Sequence, residues 1–303
     1  MKLAAIDIGS NAARLLITEV EENGKGNPSF NKLNLVRVPL RLGFDVFETG
    51  DIPKTKINKV VETIKAYKHL LNIYEVRYLK ACATSAMRDA RNAEEIIRKV
   101  KMETGIEIRV ISGDEEASFI YENHIAENLA KDHSYLYIDV GGGSTELTFF
   151  NDGKLVFKES FNIGTIRLLK GLVNESHWDE MKDYIKLGTK GKSDIIAIGS
   201  GGNINKVFSL SKKKEGKPLS LELLRDYHKE LSSFTLAERM KQYKLREDRA
   251  DVILPAIQIY VNVMRWANIE EIYVPKIGLA DGLVHMLYDE VKNNNLHATT
   301  VVL

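Results

Sequence analysis

The chain has a single cysteine, Cys82, so no intrachain disulfide forms, as expected in a reducing compartment. Cys82 lies in an apolar, strand-like run, where it reads as a small buried hydrophobe rather than a reactive thiol. Long apolar runs are also missing: none approaches the roughly 20 residues that span a bilayer, and Asp7 comes too early for a signal-peptide apolar core. The expected compartment is the cytoplasm, with no membrane partner. There is no excess of one charge. A formal net charge of +1 excludes a generally basic, nucleic-acid-coating protein, so no DNA partner is expected. The seven histidines form no His-x-x-x-His pair or other ligand cluster, and no zinc site is expected.

What is present is ordinary globular composition, 44% hydrophobic and 28% charged, over 303 residues. That length suits two domains, each with its own core. The densest chemistry lies in Asp139-Val140-Gly141-Gly142-Gly143-Ser144-Thr145-Glu146-Leu147. Apolar and β-branched segments on both sides predict a strand–turn–strand hairpin. Three glycines free the backbone for close ligand approach. The turn's amides, with the Ser144 and Thr145 hydroxyls, can cradle an anion. Acids on both flanks make sense if a divalent cation sits between acid and phosphate. A plain glycine-rich hairpin would explain the glycines but not the acids.

The same pattern occurs near the N-terminus as Asp7-Ile8-Gly9-Ser10-Asn11, followed by Arg14-Leu15-Leu16-Ile17. Asp139 follows Asp7 by 132 residues, a period too long for a solenoid and suited to two similar domains. Each would offer one phosphate-gripping hairpin to a shared interdomain cleft.

Strands are predicted at 2–8, 13–20 and 30–39, a turn over 21–29 and a loop over 41–51. A helix follows at 53–72, a strand at 76–83, helices from 86 and over 92–103, a strand at 107–111 and a helix from 112 to about 128. The order then repeats, with strands at 134–140, 145–151 and 154–161 and helices at 164–173 and 176–187. A strand at 194–198 leads through Gly199-Ser200-Gly201-Gly202-Asn203 into another helix. Helices are predicted at 220–232, 235–242 and 247–267, a strand at 272–275 and a terminal helix at 278–293. The domain joint is expected near 122–133. Lys212 to Lys217 read as a solvated loop.

Four ordered motifs carry a family resemblance: Asp7 to Asn11, Ala83-Thr84-Ser85-Ala86-Met87-Arg88, Ile111-Ser112-Gly113-Asp114-Glu115-Glu116-Ala117, and Asp139 to Leu147. Together they resemble the exopolyphosphatase / guanosine pentaphosphate phosphohydrolase family of the actin-like ATPase superfamily. The resemblance covers essentially the whole chain. It implies an α/β protein of two actin-like (ribonuclease H-like) domains, each a mixed sheet flanked by helices, over 1–124 and 125–303. The terminal helix is expected to pack back on the first domain. Longer members carry a further helical C-terminal region, and this chain resembles the short form.

The resemblance makes Glu116 the catalytic glutamate that activates water. From the residues alone, Glu115 and Glu116 both sit in a first helical turn, where carboxylates favour the dipole's positive end. Successive residues point about 100° apart, so only one faces a cleft, and the family match selects Glu116. Asp139 and Glu146 match metal and phosphate positions, with Mg²⁺ the expected cofactor. Asp7 is a third metal candidate, or else braces its turn. Gly9, Ser10, Asn11, Gly141, Gly142, Gly143, Ser144 and Thr145 are the expected phosphate-binding residues. Arg88 joins them, its planar fork suited to phosphate oxygens. Arg14 is a weaker candidate that also fits a simple pair with a nearby acid. For Gly199 to Asn203 both helix capping and nucleoside binding stay open.

The implied activity is release of the terminal phosphate from inorganic polyphosphate or guanosine pentaphosphate, with a homodimer as candidate assembly. The alternatives are a small-molecule kinase of the same superfamily and a non-catalytic nucleotide or polyphosphate sensor.

Overall fold

The computed structural model describes residues 1–22, 28–121, 133–293 and 301–302. The chain divides into two compact units, Met1–Asn123 with Leu279–Leu303, and His124–Gly278. The expected joint lies, His133 apart, outside the described residues, as do most of the 21–29 turn and the last turns of the helix expected to reach 128.

In the first unit, β1 (Lys2–Ile8), β2 (Ala13–Glu21) and β3 (Ser29–Val38) form an antiparallel meander. Next come α1 (Gly43–Thr49), α2 (Lys54–Ile73), β4 (Tyr78–Ala83), α3 (Ser85–Asp89), α4 (Ala93–Thr104), β5 (Arg109–Val110) and α5 (Gly113–Tyr121). β4 adds parallel to β1, and β5 parallel to β4. The β1 side chains alternate as a two-sided sheet requires. Ala4, Ile6 and Ile8 join the core with Ile57, Val60, Ile64 and Tyr67 of α2, whereas Leu3 and Ala5 pack with residues of the terminal helix.

The second unit repeats this order. β6 (Ser134–Val140), β7 (Thr145–Asn151) and β8 (Lys154–Phe161) form the meander, followed by α6 (Thr165–Leu169), α7 (Glu175–Gly188), β9 (Ile195–Ser200) and α8 (Gly202–Ser211). Then come β10 (Leu219–Ser220), α9 (Leu221–Ser232), α10 (Leu236–Gln242), α11 (Glu247–Ala250), α12 (Ile253–Trp266) and β11 (Glu271–Tyr273). β9 pairs parallel with β6, and β11 parallel with β9. The strand orders β3-β2-β1-β4-β5 and β8-β7-β6-β9-β11 therefore correspond, a duplication of the actin-like α/β domain.

The chain then returns to the first unit. Helix α13 (Leu279–Lys292) lays Leu279, Ala280, Leu283, Val284, Leu287 and Tyr288 against Leu3, Ala5 and Leu16, and β12 (Val301–Val302) pairs antiparallel with β4. A buried ion pair, Lys80 Nζ to Glu290 Oε1 at 2.5 Å, ties β4 to α13.

Two expectations are corrected. Residues 43–49 of the predicted 41–51 loop are helical, with Val46 buried and Gly50, at φ 81°, closing the helix through its N–H on the Val46 carbonyl. That is an ordinary left-handed glycine stop. The helix expected over 247–267 is broken between α11 and α12. In one continuous helix the Pro255 ring would strike the Asp251 carbonyl, whereas in the first turn of a new helix its missing N–H costs nothing.

Candidate active site

The β6–β7 hairpin holds the acids of the second unit. Its register sets Asp139 opposite Glu146 and Val140 opposite Thr145, and the Gly141 N–H donates to the Ser144 carbonyl at 2.9 Å. Facing residues of an antiparallel pair share one side of the sheet, and here a carboxylate oxygen of each lies within 4.8 Å of the other. Serines from the flanking strands hold both acids. Ser160 Oγ of β8 donates to Glu146 Oε1 at 2.9 Å, and Ser200 Oγ of β9 donates to Asp139 Oδ1 at 2.8 Å. The Tyr260 phenol, which donates to the Ser200 carbonyl, is pushed well above its ordinary pKa by burial first and by the Asp139 charge second. Two carboxylates directly opposite repel unless a cation lies with them. Hard oxygen donors with Glu146 only 3% exposed fit a small divalent ion.

The turn after β9 also bears on Asp139. Gly201 adopts φ 106° and caps α8, and a Cβ there would stand 3.1 Å from Asp139 Oδ1. The Gly199–Asn203 loop is thus a helix cap that also walls the acid pair. Arg249 lies against Gly202, with Nη1 donating to Asn203 Oδ1 at 3.2 Å.

The first unit repeats the turn with different chemistry. The Gly9 N–H donates to the Ala12 carbonyl at 3.0 Å, and the amides of Gly43 and Arg41 hold the Ser10 and Asn11 carbonyls, each at 2.9 Å. Asp7 faces Arg14 in the register, where the second hairpin has Glu146, and Arg14 Nη1 donates to Asp7 Oδ2 at 2.5 Å. One hairpin therefore carries an acid pair and the other an ion pair. Ser10 is 3% exposed, and its hydroxyl has no hydrogen-bond partner among the described residues. A buried orphan hydroxyl is costly, as befits a turn that receives a ligand or water.

The two adjacent glutamates of α5 separate cleanly. Glu115 closes a reciprocal cap: its N–H donates to Ser112 Oγ at 3.1 Å and its Oε2 accepts the Ser112 N–H at 3.0 Å. Its other oxygen accepts from Arg109. Glu116 points inward, is 8% exposed, and stands 3.6 Å from Arg88 Nη1, which itself donates to the Ile111 carbonyl at 2.6 Å. The Thr145 hydroxyl donates to the Ile163 carbonyl at 2.6 Å, so Ser144 is the hydroxyl left to the turn. The sequence pattern singles out Ser200 only within the Gly199–Asn203 loop and Ser160 not at all, because a lone serine near a strand end does not say which acid lies beside it.

The profile of the Ppx/GppA phosphatase family matches residues 20–293, and the chain belongs to that family. Among curated relatives, the bifunctional 3-dehydroquinate synthase/phosphatase of Fusobacterium nucleatum is 30% identical over 96% of this chain and 46% of its own length. The chain thus spans about half of that relative. Exopolyphosphatase 1 of Mycobacterium tuberculosis is 24% identical over 94% of this chain and 87% of its own. Among solved structures, an exopolyphosphatase from Cytophaga hutchinsonii is 25% identical with a TM-score of 0.81, covering 95% of this chain and 98% of the other. The Ppx/GppA family member of Aquifex aeolicus is 27% identical with a TM-score of 0.74, covering 97% and 99%. Among the described residues no helix is long and apolar enough to cross a membrane.

Proposed function

We propose that this phosphatase releases the terminal phosphate from inorganic polyphosphate or guanosine pentaphosphate, with Mg²⁺ held at Asp139 and Glu146. The observation that carries the reading is the acid pair facing across a glycine turn, Asp139 opposite Glu146, in a chain of the phosphatase family. Bound Mg²⁺ would neutralise charge on the phosphate oxygens and relieve the repulsion between the two acids. The amides of Gly142, Gly143 and Ser144 and the Ser144 hydroxyl bind the phosphate being transferred, and Gly9, Ser10 and Asn11 supply a second cradle. Asp7 is assigned to holding Arg14 rather than to the metal, because its carboxylate already accepts from that guanidinium.

Glu116 takes a proton from water as the water oxygen bonds to the terminal phosphorus. The bridging P–O bond breaks, and its electron pair leaves with the shortened chain. Charge spread over the equatorial oxygens is stabilised by donors already in place. The lone buried Cys82 agrees with a cytoplasmic location.

The test is phosphate release from tripolyphosphate, long-chain polyphosphate and guanosine pentaphosphate, with Mg²⁺ and with chelator. Release from at least one substrate, abolished by chelator, is expected; no release from any of them defeats the proposal. Two variants probe parts of it. Asp139→Asn removes one charge from the acid pair and is expected to raise the Mg²⁺ concentration needed for half-maximal activity by about 10–100-fold, the scale of a disturbed metal environment. Superposable Mg²⁺ profiles would remove Asp139 from the metal site. Arg88→Lys replaces a fork that can serve the Ile111 carbonyl and a phosphate together by a point charge. KM is expected to rise with kcat much less affected, and unchanged kinetics would return Arg88 to a structural role.

A further inference from the structure

The segment Ile163-Gly164-Thr165-Ile166-Arg167 runs from the link after β8 into the first turn of α6, and no motif drew attention to it. It lies directly against the glycine turn of the second unit. The Thr165 N–H donates to the Gly141 carbonyl at 3.1 Å, and the Ile166 N–H to the Gly142 carbonyl at 2.8 Å. Arg167 Nε donates to the Gly143 carbonyl at 2.7 Å. Three consecutive donors thus take three consecutive carbonyls. The Thr145 hydroxyl ties the hairpin to the Ile163 carbonyl at the same place. Contact is so close that a Cβ at Gly164 would stand 2.4 Å from the Gly143 carbonyl carbon and 2.5 Å from the Gly142 oxygen.

The consequence follows from the planar trans peptide, in which the C=O of one residue and the N–H of the next point in opposite directions. With the carbonyls of Gly141, Gly142 and Gly143 drawn toward α6, the N–H groups of Gly142, Gly143 and Ser144 face the other way. None of those three amides has an acceptor among the described residues. Three glycines alone would leave these peptide planes free to flip. The two backbone amides can hold the first two planes, but the third depends on one side chain.

We propose that Arg167 is a positioning residue: by holding the Gly143 carbonyl it aims the Ser144 amide, the third of the cradle, at an anionic phosphate. The Arg167 guanidinium acts here through the protein's own backbone, whereas Arg88, which also holds a backbone carbonyl, is assigned to the phosphate as well. Gly164 is the position that lets the segment come close enough. The inference rests on the proposed phosphate-binding role of the turn.

Its test compares wild type with Arg167→Met, which removes the donor, and Arg167→Lys, which keeps the charge and one flexible donor. The readouts are steady-state kinetics with tripolyphosphate, thermal melting, and calorimetric binding of tripolyphosphate to the same chains carrying Glu116→Gln. For Arg167→Met a rise in KM and in tripolyphosphate Kd of about tenfold or more is expected, the scale of a lost hydrogen bond to a charged group. Melting should change little, and Arg167→Lys should recover part of the affinity. A KM and Kd equal to wild type overturn the inference, with or without a fall in melting temperature. If chains with Arg167 intact neither hydrolyse nor bind tripolyphosphate, the proposed function fails first. If they do both and Arg167→Met matches them, only the positioning role fails.

Discussion

Glu116→Gln is expected to lower turnover by about 10²–10⁴-fold, the usual contribution of a positioned general base, while substrate affinity stays near that of wild type. Glutamine keeps the shape and one hydrogen-bonding oxygen but accepts no proton at neutral pH. The neighbouring position supplies the control. Glu115 is engaged in the reciprocal cap with Ser112 and in the pair with Arg109. Glu115→Gln keeps the cap, because glutamine also serves at that capping-box position, and loses only a surface ion pair worth about 0–1 kcal/mol. Single-turnover rates for both variants decide the matter. A crippled Glu115→Gln with an unimpaired Glu116→Gln would reverse the assignment.

The second large effect concerns stability. Lys80 and Glu290 are both nearly excluded from solvent, with side chains 5% and 8% exposed, and they join β4 to the helix that closes the first unit. Removing one partner leaves a charge buried without its counter-charge, which costs about 3–5 kcal/mol. Glu290→Leu and Lys80→Met are each expected to lose stability on that scale in urea unfolding at equilibrium. The double variant, with no charge left to bury, should regain most of the loss, since a packed apolar pair often does as well as a buried ion pair. Additive losses in the double variant would mean that the two side chains act independently.

The fold was legible where a periodic pattern and a punctuating residue agreed. The meanders β1–β3 and β6–β8 and helix α2 announce themselves through alternation, helical spacing and Pro53. The breaks at Gly50 and Pro255 were also written in the chain, but each takes its meaning from what precedes it. Gly50 marks a helix end only once Val46 is known to be buried, and Pro255 marks a start only because a helix stops before it. The candidate site was legible in part: Asp139 and Glu146 stood out as acids beside glycines, whereas Glu116 was separated from Glu115 only by the family resemblance. The supports of the site were not legible. Ser160, Ser200 and Arg167 act through a strand register or a single carbonyl contact, and such contacts arise from tertiary packing. The contrast between Arg14 and Glu146 was visible in the aligned repeats. It became chemistry only when the register set each opposite an aspartate.

The central claim is that water, and no other acceptor, attacks the terminal phosphorus. Turnover of tripolyphosphate in water enriched in heavy oxygen, followed by mass analysis of the products, tests it most directly. Hydrolysis at the terminal phosphorus requires one heavy oxygen in each orthophosphate released in a single turnover and none in the pyrophosphate left behind, with no added acceptor needed. Heavy oxygen in the pyrophosphate, or phosphate transfer that proceeds only when an alcohol or amine acceptor is supplied, would contradict it.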